Sequence, residues 1–226
     1  MSDLSHWRAR PAPDLKKIRG RFIAIEPAVF PDCAAALFSV IGGPENDDLW
    51  TYIPMGPFAG AEELSIGMSS VIAGGGWKTH LFCDAESGAP LGMASYMRIR
   101  PEAGSAEIGS IVFSKALQRT PAATEAMYLM ARHVFEDLGY RRYEWKCDAN
   151  NAPSRKAALR LGFQFEGIFR QDMVSKGKNR DTAWFSMLDH EWPAIGSAIQ
   201  TWLADNNFDH TGHQKVSLTK IRERGG

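Results

Sequence analysis

Apolar positions along this chain switch between a period of two and a period near 3.6, and the switches fall at Gly, Pro, Asn and Asp. Arg19 to Glu26 alternates around Phe22 and Ile23 and predicts a first strand, ended by Pro27. Phe30 to Ile41 reads as a helix capped near Asp32 and stopped by Gly42-Gly43-Pro44. Asp47 to Gly60 is aromatic, proline-rich and too irregular for an element, and a helix follows from Ala61 to about Val71. Gly74-Gly75-Gly76 then serves as a helix-to-strand joint. Trp77 to Ala85 and Pro90 to Arg100 alternate on either side of Glu86-Ser87-Gly88-Ala89, which predicts a hairpin.

The clearest pattern runs from Ala106 to Phe163. Ala106 to Phe113 is an apolar, β-branched strand, and Ser114 to Thr120 is a short basic connection. Pro121 suits a first helical position and Thr120 can cap it. Ala122, Ala123, Ala126, Met127, Met130, Val134 and Leu138 then recur at helical spacing, with Gly139 as the stop. Tyr140 to Asp148 alternates, placing Tyr143, Trp145 and Cys147 on one face and Arg142, Glu144 and Lys146 on the other. Arg155 to Leu161 is a shorter helix closed by Gly162. Phe165 to Val174 and Thr182 to Leu188 flank a basic turn, Ser175 to Asp181, and predict another hairpin before a closing helix from Pro193 to Leu203. Residues 1–18 read as a polar arm, 19–205 as one domain, and 206–226 as a polar, basic tail expected to lie loose. A strand that feeds a helix N-terminus through a basic turn suits an anion, because free N–H groups and the helix dipole point at it.

Composition narrows the class. In 226 residues, 44% are hydrophobic and 23% charged with a net charge of zero, which fits a globular protein and argues against wholesale nucleic-acid binding. No apolar run approaches a membrane span of roughly 20 residues. Met1 to Pro13 lacks the apolar core of a signal peptide. Cys33, Cys83 and Cys147 fit neither zinc spacing nor an even disulfide set, so the cytoplasm is expected. The zero charge hides a division: residues 22–77 hold seven acids and no Lys or Arg, whereas residues 115–180 hold thirteen basic residues against seven acids. These segments either serve a cationic amine and an anionic cofactor across a common cleft or are two solvated surfaces. Trp50, Tyr52 and Phe58 are either a substrate wall or core packing under a loop.

Gln118-Arg119-Thr120-Pro121-Ala122-Ala123-Thr124 resembles the pyrophosphate loop of the GNAT superfamily of N-acetyltransferases, usually Gln/Arg-x-x-Gly-x-Gly/Ala. Asn151-Ala-Pro-Ser154, Leu161-Gly-Phe163 and Glu166-Gly167 resemble the signature of its branch that acetylates ribosomal-protein N-termini. The resemblance covers roughly residues 19–192, and Pro121 departs from it where the family usually has Gly. It implies an α/β (α+β) GNAT fold: a mixed, strongly twisted sheet of about seven strands with helices on both faces. The strand holding Ile111, Val112 and Phe113 should splay from the strand of Glu144 to Cys147, and the pantetheine arm of acetyl-CoA should pair with backbone in the gap. Gln118, Arg119, Thr120, Pro121, Ala122, Ala123 and Thr124 should face the diphosphate. Asn151 should anchor the pantetheine or cap its helix, and Arg155 or Lys156 should reach the 3′-phosphate.

Acetyl transfer from a thioester to an amine needs a neutral amine, a polarised carbonyl and a proton for the leaving thiolate. The resemblance offers Glu107 as base, against the reading of an exposed strand charge, with Asp172 as the alternative. It offers Ser154 as donor to the sulfur, against the reading of a helix cap. Ala158 stands where many GNAT enzymes have a tyrosine. His210 and His213 lack a third ligand, so no metal is expected. The implied activity is an acetyl-CoA-dependent N-acetyltransferase acting in a ternary complex on a primary amine, either a protein N-terminus or a small metabolite. The competing reading is an acyl-CoA-binding sensor or scaffold with this fold. The expected partners are acetyl-CoA and the amine, with neither nucleic acid nor membrane, and a homodimer is left open.

Overall fold

The computed structural model describes residues 3–224. In chain order the elements are β1 (Ile18–Arg19), β2 (Ile23–Pro27), α1 (Ala34–Ile41), α2 (Ala61–Gly75), β3 (Lys78–Asp84), β4 (Pro90–Arg100), β5 (Ser105–Phe113), α3 (Pro121–Arg132), β6 (Arg142–Asp148), α4 (Ala152–Leu161), β7 (Gln164–Ser175), β8 (Lys178–Leu188), α5 (Trp192–Leu203) and α6 (Leu218–Arg224). The strands form one mixed sheet in the order β1-β2-β3-β4-β5-β6-β8-β7. Its β5 and β6 run parallel, as a crossover through α3 requires, and the other neighbours are antiparallel.

Strand alternation gives the sheet two apolar faces. Ile25, Phe82, Tyr96, Ile108, Tyr143 and Phe185 point to the core under α3 and α5. Ala24, Leu81, Met93 and Val112 point to a smaller core under α1 and α2. Ile108 and Val112 are four residues apart on one strand yet face opposite cores. The reason is a bulge at Ser110, whose φ is 49° and where the β4–β5 register shifts, so the strand changes phase there.

Several expectations need correction. The sheet has eight strands rather than about seven, because the first predicted strand folds back on itself as β1 and β2. Glu125 holds that turn: its buried carboxylate accepts the backbone N–H groups of Arg21 (2.8 Å), Phe22 (2.6 Å) and Ile23 (3.0 Å). Gly20 is needed beside it, since a Cβ there would lie 2.6 Å from the carboxyl carbon. Removing this charged acceptor strands three donors, so Glu125→Ala should lower stability by about 2–3 kcal/mol in denaturant unfolding. Helix α1 starts after Cys33 rather than near Asp32. A 3₁₀ turn, Pro44–Trp50, occupies part of the segment read as irregular. Helix α2 continues to Gly75, and Gly76 closes it in the left-handed conformation, so the triple glycine is a helix end. The long helix after Pro121 finishes in a π-turn, His133–Asp137.

Arm and tail are both docked. Trp7 donates its indole N–H to Glu102 O (2.7 Å) and covers Gly104, while Leu15 is buried. The tail was expected to lie loose, but α6 buries Leu218 completely, and Asn207 joins Trp202 O and Val216 O through its amide. Apolar anchors spaced too widely for a periodic signal account for the difference.

Candidate active site

β5 and β6 share rungs only from Ser105↔Arg142 to Ile108↔Trp145. Past that point β6 stays with β8 as far as Asp148↔Thr182, and β5 stays with β4 as far as Gly92↔Phe113. The two parallel strands therefore part, and the Ser110 bulge turns β5 away. Gly92 permits the close β4–β5 approach that follows, since a Cβ there would lie 2.4 Å from Val112 O. Ile111, Val112 and Phe113 lie on the stretch of β5 that β6 no longer pairs, with the Val112 side chain buried in the smaller core. Among the described residues, the buried hydroxyls of Ser110 and Thr182 have no hydrogen-bond partner.

Helix α3 opens at the wide end of this gap. Thr120 caps it by accepting the Ala123 N–H (3.2 Å), and Pro121 occupies the first turn. One first-turn donor is thus missing and another is committed, which shifts anion binding toward side chains. Gln118 and Arg119 are exposed there, with Gln118 tied to Phe113 O (3.1 Å) and Arg119 in a positive-φ turn. Thr124 is buried instead, its hydroxyl accepting from Arg160 (3.0 Å). Arg155 donates to Ala149 O (3.2 Å) and lies over Phe165, and Lys156 is exposed.

At the narrow end, the last shared rung carries Trp145, whose indole N–H donates to Ser154 Oγ (3.0 Å). Asn151 Oδ1 accepts the Ser154 N–H (3.1 Å), so Asn151 is the helix cap and the Ser154 hydroxyl is not. An indole N–H can only donate. Ser154 therefore meets it with a lone pair and can give its own proton to a second acceptor, the neighbouring Cys147 sulfur being one. Burial pushes the neighbouring Cys147 thiol up, with Ser154 and Arg180 opposing that shift.

The opposite sheet face at this level is a row of charge whose two carboxylates, Glu107 and Glu144, are buried. Arg98 donates to both oxygens of Glu107 (2.8 and 2.7 Å), and Lys146 Nζ lies 2.8 Å from Glu107 and 2.7 Å from Glu144. Glu144 also accepts from Arg100 (2.5 Å) and Arg142 (2.8 Å), and Arg142 forks onto Glu166. Glu107 and Glu144 are only 3% and 2% exposed, so Glu107 is not an exposed strand charge. The lone pairs of Glu107 are already engaged by two cations. Asp172 lies apart from this cluster, exposed in the irregular stretch of β7 between Phe169 and Met173.

Comparison with known proteins decides the family. The acetyltransferase (GNAT) domain family matches residues 34–164. A solved GCN5-related N-acetyltransferase from Brucella melitensis is 43% identical, with a TM-score of 0.92 over 97% of this chain and 100% of that one. The chain belongs to the GNAT acetyltransferase family. Among curated relatives, an uncharacterized N-acetyltransferase p20 of Bacillus licheniformis is 32% identical over 47% of this chain and 60% of its own length. A ribosomal-protein-serine acetyltransferase of Escherichia coli K12 is 32% identical over 36% of this chain and 45% of its own length. The chain thus spans between about half and three fifths of these two curated relatives.

In this GNAT domain the rest of the cleft is roofed by loops. Tyr52 reaches Asn150 O (3.4 Å), and Lys176 in the β7–β8 turn donates to Trp50 O (2.7 Å). Trp50 itself is core: it is 1% exposed, bonds Ile41 O through its indole and packs edge-on against Phe58 at 5.0 Å. Of the proposed aromatic wall, Tyr52 alone is substantially exposed. The acidic and basic segments do meet, through the Lys115–Asp48 pair at 3.3 Å. The residues that sequence reasoning missed are Trp145, Lys146, Arg98 and Glu125. Alternation places Lys146 beside Glu144 on one face, but only the β5–β6 register brings Glu107 to them.

Proposed function

We propose that this chain is an acetyl-CoA-dependent N-acetyltransferase that acts on a primary amine by direct attack in a ternary complex. The observation that carries this reading is the Ser154 hydroxyl, fixed by Trp145 at the last rung before the strands part, on the sheet face opposite Glu107. Donor on one face and carboxylate on the other suit a thioester reached through the gap. Coenzyme A supplies the thiol leaving group and the phosphates. Arg119 and Gln118 stand ready for the phosphates at the start of α3, and the unpaired β5 edge at Ile111, Val112 and Phe113 can take an added strand. The orphaned Ser110 hydroxyl supports this fit, since it lacks a partner among the described residues.

In this reading the incoming ammonium displaces Arg98 from Glu107, one cation replacing another. The Arg98 side chain is 47% exposed and is free to swing into water. Glu107 then takes one proton from the ammonium, and the neutral amine attacks the carbonyl carbon. As the C–N bond forms and the C–S bond breaks, the Ser154 hydroxyl protonates the departing thiolate and its oxygen regains the second proton from the acylated nitrogen, while Glu107 returns its proton to solvent. A coenzyme A release assay over a panel of amines tests the proposal. Binding of acetyl-CoA without release for any amine would favour a sensor, a reading supported by the two first-turn donors lost to Pro121 and Thr120. Because side-chain charge carries the phosphates, Arg119→Ala should raise acetyl-CoA KM about tenfold at low salt, with a smaller effect as salt screens the contact.

A further inference from the structure

A cavity of about 770 Å³ opens at the foot of the β5–β6 pair, where Ser105, Arg141 and Glu144 face Trp184 of β8 and Trp7 of the arm. It adjoins the charged row: Glu144 is on its wall, and Lys146 behind that wall bonds both Glu144 (2.7 Å) and Glu107 (2.8 Å). Its unused hydrogen-bonding capacity is one-sided. Glu144 already accepts from Arg100, Arg142 and Lys146, and Glu166 accepts from Arg142 and Ser186. Asp189, 54% exposed beside His190, keeps a carboxylate without a side-chain donor other than that histidine among the described residues, and Glu166 is 39% exposed but already bonded. The donors, by contrast, are free. Ser105 is 2% exposed and its Oγ has no partner among the described residues, and neither has the buried indole N–H of Trp184. Arg141 stands over the Trp7 ring at 5.5 Å, and among the described residues no carboxylate pairs with it. An indole N–H and a guanidinium can be satisfied only by acceptors.

We propose that this cavity binds the body of the acceptor amine, and that the acceptor carries hydrogen-bond-accepting oxygens, as a carboxylate or a peptide carbonyl, rather than being a polyamine. A polyamine would bring more donors to a wall whose acceptors are spent, while leaving buried donors unpaired. An oxygen-bearing body pairs them. The inference rests on the acetyltransferase reading for its amine, but the cavity can be tested without turnover.

The experiment compares five acceptors: a glycine-led dipeptide, its C-terminal amide, a free amino acid, spermidine and a simple alkylamine. The three oxygen-bearing amines should show acceptor KM values at least tenfold below the other two. Equal preference for acid and amide assigns the carbonyl, and preference for the acids assigns the carboxylate. Ser105→Ala should raise the dipeptide KM severalfold without moving acetyl-CoA KM. Trp184→Phe, which keeps a ring beneath Lys146 and removes only the N–H, should do the same. Spermidine or the alkylamine matching the dipeptide, with both variants silent, would overturn the proposal. If no amine releases coenzyme A, the enzyme reading fails, and calorimetry with the N-acetylated dipeptide decides the cavity alone. Binding that weakens in Trp184→Phe upholds it, and the absence of binding rejects it.

Discussion

Ser154→Ala is expected to lower kcat about a hundredfold while leaving acetyl-CoA KM within about twofold. A proton donor to a departing thiolate acts in the transition state, so its loss falls on turnover rather than on ground-state binding. The competing explanation, that the serine caps its helix, is weakened because Asn151 takes that role. The substitution would still strand the Trp145 indole N–H, at about 1–3 kcal/mol. Melting and turnover must therefore be measured on one sample, and the rate per folded molecule is the quantity that decides. Trp145→Phe should act in the same direction but less, about tenfold, because the hydroxyl remains and loses only the bond that fixes it (3.0 Å). A thioester of a more acidic thiol should shrink both deficits, since its leaving group needs less help from a proton. A purely structural serine would show no such dependence.

The sequence carried the order of elements because it rests on local signals, whereas the parting of β5 from β6 was expected only from the family resemblance. Thr120 and Pro121 start α3 where capping chemistry places them. The alternation from Arg142 to Cys147 assigns each residue to the face it occupies. What local pattern could not carry was register. A polar strand face normally implies water, yet the Glu144 and Lys146 side chains are almost wholly covered because the neighbouring strands bring Glu107, Arg98 and Arg100 over them. The Ser110 bulge was equally silent, since Ala106 to Phe113 reads as an unbroken apolar run. Trp145 was legible as a core residue but not as a partner of Ser154, which lies nine residues on in the next helix. Arm and tail were misjudged for a related reason: single anchors such as Trp7 and Leu218 leave no period to detect.

Lys146→Met is expected to destabilise the fold by about 3–5 kcal/mol, far more than Arg98→Met in the same row. Lys146 is 5% exposed, lies between the two buried carboxylates and has the Trp184 ring 3.8 Å from its ammonium. Removing the central cation of such a cluster leaves two buried carboxylates facing each other with only the half-exposed or edge arginines Arg98, Arg100 and Arg142 to compensate them. The Arg98 side chain is 47% exposed, its loss can be met by solvent, and a cost of about 1 kcal/mol or less is expected. The acid limb of stability should move as well. Burial opposes the Glu144 charge, but the Lys146 and Arg142 hydrogen bonds outweigh it and hold the carboxyl below its usual value. The Arg142 fork does the same for Glu166. A carboxyl held low in the native state contributes fully above its unfolded pKa, about 4.3, and loses that contribution as pH falls through the lower native value. Without Lys146, burial of Glu144 is less opposed, its native pKa rises, and acid unfolding should begin at a higher pH than in the wild type. Denaturant midpoints measured from pH 7 to pH 3 check both parts. If Lys146→Met stays within 1 kcal/mol of the wild type and keeps its acid limb, the charged row does not hold the two halves of the sheet together at the site.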